Sequence, residues 1–184
     1  MTDHQRLMDL IKERSITFGD FILSSGLRSS YYIDARRTTM SAEGLALIGR
    51  VGLGLIREAG WIADAIGGLT MGADPVSYAI ARETWGHPPV LDAFSVRKAA
   101  KEHGTKRQIE GNFAAGRRVI IAEDVITSGG SALQAIAAVR EAGGFVIGVL
   151  AVVDREQGGL AQIAEAGVDV VSITTTSSLG VKTT

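Results

Sequence analysis

Residues 119–131 read Val119-Ile120-Ile121-Ala122-Glu123-Asp124-Val125-Ile126-Thr127-Ser128-Gly129-Gly130-Ser131. An apolar run leads into two adjacent carboxylates and then into a turn of glycines and hydroxyls that opens a helix. Thr127, Ser128, Gly129, Gly130 and Ser131 bring unhindered backbone N–H groups and three hydroxyls to a helix N-terminus, where unpaired amides and the helix dipole attract a phosphate. Glu123 and Asp124 repel a phosphate and suit hydroxyl donors or a bound cation instead. A ribose carrying a phosphate at one end and its diol at the other satisfies both halves.

Such a motif needs a buried strand before it and a helix after it. Hydrophobic spacing supplies both: 117–124 is expected as a strand and 131–142 as a helix. The same rhythm runs along most of the chain. Helices are expected near the N-terminus (Leu7, Met8, Leu10 and Ile11 on one face), over 41–59 with Ser41 as cap and Gly60 as stop, and over 75–85 and 160–166. Strands are expected over 62–68, 90–94, 145–154 and 168–173. Apolar strands alternating with amphipathic helices predict an α/β fold with a parallel sheet covered on both faces. In such sheets ligands collect at the carboxyl ends of strands, so 67–72, 123–131 and 154–155 are expected to share one crevice. Residues 18–33 form short alternating segments broken by Gly19 and Gly26, an irregular cap over that crevice, and 174–178 is expected as a polar tail.

The 184 residues fit one domain with a substantial core, about 1–40 contributing to a hood and 41–184 to the body. No cysteine is present, which removes thiolate nucleophiles, disulfides and cysteine-based metal sites. No apolar run approaches the ~20 residues of a membrane span, and residues 1–6 lack a signal peptide's hydrophobic segment, so a cytoplasmic protein without membrane contact is expected. The net charge of -1 gives no reason to expect nucleic-acid binding. The basic residues are nevertheless uneven: seven of the 19 fall between Arg97 and Arg118. Arg97, Lys98, Lys101, His103, Lys106 and Arg107 raise a local positive potential suited to a polyanion, or else form a solvated charged loop.

Neighbouring phosphate motifs fail. A P-loop requires lysine before its final hydroxyl residue, and none lies in this turn. Gly52 and Gly54 begin a dinucleotide fingerprint, but Arg57 holds the third glycine's place and the segment reads as helix, where close packing explains it better. There is no Gly-x-Ser-x-Gly elbow, and His4, His87 and His103 give no metal-ligand pair.

The 119–131 segment resembles the phosphoribosyl-pyrophosphate signature of the type I phosphoribosyltransferases. Three more segments resemble the orotate-specific members: Phe21-Ile22-Leu23-Ser24-Ser25-Gly26 through Ser30-Tyr31-Tyr32-Ile33-Asp34, the basic Arg97-Lys98-x-x-Lys101-x-His103-Gly104 followed by Gln108-Ile109-Glu110-Gly111, and Asp154-Arg155. Together they span most of the chain. The resemblance implies a five-stranded parallel sheet under a small hood, with transfer of ribose 5-phosphate from phosphoribosyl pyrophosphate to a ring nitrogen of orotate. It also implies magnesium as cofactor, without a directly predicted protein ligand, and a homodimer whose basic loop reaches the partner's site.

By the same resemblance, Lys101, His103, Arg97 and Lys98 fall on the departing pyrophosphate, Glu123 and Asp124 on the ribose hydroxyls, and 125–131 around the 5′-phosphate. Lys101, His103 and Asp124 are the implied catalytic residues. Arg155, Thr127, Tyr31 and Tyr32 fall on the orotate side. Arg155 offers a planar fork for a carboxylate, with pairing to Asp154 or Glu156 as the alternative; the tyrosines are either ring neighbours of the pyrimidine or packing aromatics. Residues 69–73 occupy the place of the family's pyrophosphate loop, but Thr70-Met71 and Ser24 stand where some bacterial members carry lysine. A phosphoribosyltransferase for another base such as a purine and a non-catalytic nucleotide-binding regulator are the alternatives. Arg155 and the basic loop argue against the first, and the complete Lys101/His103 loop, with no room for a separate DNA-binding module, against the second.

Overall fold

The structure, a computed structural model, describes residues 1–22, 28–99 and 108–181. Helix α1 (Asp3–Ser15) leads into a hairpin of β1 (Ile16–Ile22) and β2 (Arg28–Ile33), followed by the short α2 (Arg36–Thr39) and the long α3 (Ala42–Glu58). The body continues through β3 (Ala65–Leu69), α4 (Ala73–Thr84), β4 (Asp92–Val96), β5 (Ile109–Gly111) and β6 (Arg118–Ile126). It ends with α5 (Gly130–Glu141), β7 (Phe145–Asp154), α6 (Gly159–Glu165) and β8 (Val170–Thr175).

The main sheet has the order β5-β4-β3-β6-β7-β8. Five strands are parallel, as expected, and β5 adds an antiparallel edge strand through Phe94↔Gly111 and Val96↔Ile109. Three residues are too few for an alternating pattern to declare itself, which is why β5 is silent in the sequence. From β3 the chain moves outward to β4; from β6 it moves the opposite way through β7 to β8. The order therefore reverses between β3 and β6, which opens a crevice at their carboxyl ends.

Period-two alternation in β6 feeds two cores. Ile120 and Ala122 join one buried cluster with Ile48, Ile80 and Leu150; Val119 and Ile121 join the other with Phe94, Ile136 and Val149. The first cluster also contains Leu7, Leu10, Ile11, Tyr31 and Ile33, so α1 and β2 are fastened to the same core as the sheet. Ser41 caps α3 as expected, accepting a hydrogen bond from Gly44 N at 3.1 Å. At Gly52 a β-carbon would lie 2.6 Å from Ile80 Cδ1, so this glycine brings α3 against α4. Close helix packing, not a dinucleotide site, explains it. Among the described residues no helix is long and apolar enough to cross a membrane.

Two expectations need correction. Residues 18–33, read as an irregular cap, contain a paired antiparallel hairpin with one register shift between Phe18 and Phe21. Residues 174–178 are not a solvated tail: Thr174 and Thr175 finish β8, and Thr174 and Thr176 are buried. Threonine-rich sequence looks polar, but its side chains bond across the strand ends, as described below.

Candidate active site

A cleft of about 530 Å³ lies at the reversal point, lined by residues of β2, the β3–α4 turn, the end of β6 and the residue after β7. Its floor is Glu123 and Asp124. Strand β6 runs two residues further than expected, to Ile126, so both carboxylates sit within the strand and inherit its rigidity. Successive strand side chains face opposite ways, yet both acids border the cleft because β6 ends there.

Glu123 is 4% exposed, and its Oε1 has no hydrogen-bond partner among the described residues. Burial, reinforced by the neighbouring Asp124 charge, pushes its carboxyl up to about 8. Asp124 is also raised by burial, against the hydrogen bond its Oδ1 accepts from Val125 N at 2.8 Å. Gly72 gives Asp124 its space: a β-carbon there would stand 2.5 Å from Oδ1. That glycine was legible only as part of a phosphate-binding loop; its second use, as room for an acid on another strand, has no local signal.

Beside the acids, 125–131 folds into a smaller hollow of about 240 Å³. Gly129 is the N-cap of α5 with φ +82, and a β-carbon there would also meet Gly159 O at 2.9 Å. Glycine is required on both counts. At Gly130 the nearest atom to an added β-carbon is Ser128 Oγ at 3.8 Å, so Gly130 leaves open space inside the hollow. Thr127 and Ser131 border both hollows. The segment read from sequence as a cradle therefore lines a hollow at the head of a twelve-residue helix.

Arg155 follows β7, and its N–H donates to Ile126 O at 2.9 Å, which fixes it beside the end of β6. Its side chain lines the cleft, yet the residue is only 9% exposed. Its Nε and Nη2 have no hydrogen-bond partner among the described residues. Neither alternative acid takes it: Asp154 Oδ1 accepts from Glu156 N, and Glu156 Oε2 accepts from Thr176 and Ser177. The guanidinium lies 5.4 Å from the centre of the Tyr31 ring, within cation–π range.

The two tyrosines part company. Alternation along β2 buries Tyr31 at 2% exposure beneath Arg155, away from the cleft lining, whereas Tyr32 borders the cleft with its ring 5.8 Å from that of Phe21. Asp34 and Arg36 also border the cleft, joined by a 2.8 Å ion pair. Asp34 was visible in the motif without a role, and Arg36 was missed.

Lys98 lines the cleft, and its carbonyl accepts from Gln134 Nε2 at 2.8 Å. Arg97 does not line it; its Nη1 lies 3.7 Å from Glu110, and its backbone N–H donates to Gln108 O. These bonds tie down both ends of the basic segment. Lys101, His103 and Ser24 lie outside the described residues.

The phosphoribosyl transferase domain, as a family model, matches residues 41–176. That match covers more than half of the chain, which belongs to the phosphoribosyltransferase family. The orotate phosphoribosyltransferase of Aquifex aeolicus is 47% identical over 182 residues, covering 97% of this chain and 98% of that protein. That of Streptomyces avermitilis is 48% identical over 164 residues, covering 89% and 88%. The crystal structure of Mycobacterium tuberculosis orotate phosphoribosyltransferase with 5-phospho-α-D-ribosyl 1-diphosphate superposes with a TM-score of 0.82 at 40% identity, covering 98% of this chain and 100% of that one. Within the family, the chain's place is among the orotate phosphoribosyltransferases.

Proposed function

We propose that this chain transfers the 5-phosphoribosyl group from phosphoribosyl pyrophosphate to orotate, giving orotidine 5′-monophosphate and pyrophosphate for pyrimidine biosynthesis, through the residues brought together in this cleft. One observation carries the assignment of the site. Glu123 Oε1 and Arg155 Nε and Nη2, buried and without hydrogen-bond partners among the described residues, open onto the same cleft. A buried polar group left unpaired is costly, so its natural complement is a ligand. An acid for sugar hydroxyls and a guanidinium for a carboxylate select a donor and an acceptor together.

In this reading the amides and hydroxyls of 127–131 hold the 5′-phosphate, while Glu123 and Asp124 accept from the ribose hydroxyls. Those hydrogen bonds favour the ionised acids, and the resulting negative charge favours the positive character that grows on the ribose as pyrophosphate departs. Lys101 and His103, with Lys98 and the more distant Arg97, receive the charge accumulating on pyrophosphate; Lys101 contributes most. Arg155 grips the orotate carboxylate with two hydrogen bonds. Tyr32 and Thr127 flank the acceptor, and Tyr31 acts from beneath through Arg155.

Magnesium is the proposed cofactor. Among the described residues no group of three or more acidic or histidine side chains could hold a metal. The two carboxylates at the cleft floor fit an ion that keeps its waters and takes most of its ligands from substrate, with Asp124 and Glu123 holding it through water. When bound, it neutralises diphosphate charge. We further propose that residues 1–184 form one domain, that the enzyme works as a cytoplasmic homodimer, and that the basic loop serves the partner's site.

The test is an ultraviolet assay with protein, magnesium and phosphoribosyl pyrophosphate, adding orotate, uracil, adenine or hypoxanthine in turn. Turnover with orotate alone is expected. Turnover with a purine and none with orotate would overturn the assignment.

A further inference from the structure

Arg155 is followed directly by an acid, Glu156, and adjacent arginine and glutamate side chains can pair in this chain: Arg82 Nη1 lies 3.8 Å from Glu83 Oε2. At the cleft they do not. Glu156 adopts φ +56, a left-handed conformation that non-glycine residues rarely hold, and this turns its side chain toward the end of β8. There Glu156 Oε2 accepts from Thr176 Oγ1 at 2.7 Å and from Ser177 N at 2.7 Å. Thr176 is fully buried, its Oγ1 lies 3.2 Å from Arg155 O, and its N–H donates to Asp154 O at 3.0 Å. The hydrogen bonds from Ser177 and Thr176 hold the Glu156 carboxyl below its ordinary range, so it stays charged where it is held.

We propose that Glu156 and Thr176 are positioning residues for acceptor binding: the Thr176 hydroxyl and Ser177 amide engage the Glu156 carboxylate, and the neighbouring Arg155 guanidinium is thereby left free for the acceptor's own carboxylate. The inference rests on the assignment of Arg155 as the acceptor's anchor. It also gives residues 174–178 a use: a threonine-rich strand end whose hydroxyl keeps a competing acid away from a binding arginine.

The test measures Michaelis constants for orotate and for phosphoribosyl pyrophosphate in Arg155→Ala, Thr176→Val, Thr176→Ser and the double variant Thr176→Val/Glu156→Gln, with melting temperatures for each. Arg155→Ala should raise the orotate constant roughly tenfold to a hundredfold, the range for a hydrogen-bonded charge. Thr176→Val should raise it several-fold with kcat and the donor constant near parent values. Thr176→Ser, which retains the hydroxyl, should behave as parent. The double variant should recover, because a neutral glutamine cannot neutralise Arg155; a general loss of local structure would not be rescued this way. Should Thr176→Val fail to fold, Thr176→Ala replaces it in both arms. An unchanged orotate constant in Thr176→Val, or one still raised in the double variant, overturns the proposal while a large Arg155→Ala effect leaves the acceptor assignment standing. No effect in Arg155→Ala removes that assignment and this proposal with it.

Discussion

The proposed donor half and the proposed acceptor half of the cleft are built on opposite plans. Between Glu123 and Ser131 nine consecutive residues supply acids, hydroxyls and amides, positioned by one strand and one helix cap. The proposed acceptor half draws Tyr32 from β2, Arg155 from beyond β7, and support for Arg155 from Tyr31 and from Thr176 just past β8. A contiguous site depends on backbone geometry and tolerates little change of shape. A dispersed one depends on where single side chains are aimed, so substitutions there should alter affinity for one substrate and leave the other untouched.

The largest loss should come from the charge that acts on the leaving group. Lys101→Ala is expected to lower turnover at saturating substrates by ~10²–10³, as removal of one preorganised charge-stabilising group does; near-normal turnover would remove Lys101 from the mechanism. Next is Gly129→Val. The left-handed backbone costs a side-chain-bearing residue at least ~1 kcal/mol, and the contact with Gly159 O adds to that. Donor affinity should fall roughly tenfold or more with the orotate constant little changed, whereas Gly130→Ala should fold normally and weaken the donor less. Equal effects at the two glycines would mean that conformation is not what the cradle requires.

On the acceptor side, Arg155→Lys keeps the charge and loses the fork. The orotate Michaelis constant should rise about tenfold, the cost of one charged hydrogen bond, with the donor constant unchanged. A shift in both constants would erase the division between the halves.

A further effect concerns stability, not turnover. A carboxyl at about 8 in the folded chain and 4.5 otherwise keeps its proton on folding, so the folded state binds more protons between these values and loses stability as pH rises through them. Glu123→Gln removes that penalty. Its melting temperature should exceed the parent's by more at pH 8 than at pH 5, and the Glu123-linked part of the difference should fade below pH 4.5; a gap that does not grow with pH would contradict the burial of Glu123.

What was legible in the sequence follows the same division. Residues 119–131 declared strand, acids, cradle and helix because each feature is local and each follows from residue type. The parallel sheet was legible from its apolar runs, and Ser41 and Gly60 marked α3. The hairpin of β1 and β2 was hidden because much of its surface is exposed and a register shift breaks its alternation. The opposite facing of Tyr31 and Tyr32 became visible only with β2 in place. Arg36, the space at Gly72 and the clamp on Glu156 are relations between distant segments, and composition or spacing encodes none of them.

The most direct measurement is a crystal structure of the protein with orotidine 5′-monophosphate, which carries the phosphate and the acceptor carboxylate in one molecule. The phosphate should lie within hydrogen-bond distance of the amides of 128–131, and the carboxylate should meet the Arg155 guanidinium from within the same cleft. A phosphate bound elsewhere, or a carboxylate held by a residue other than Arg155, would contradict the two-plan site.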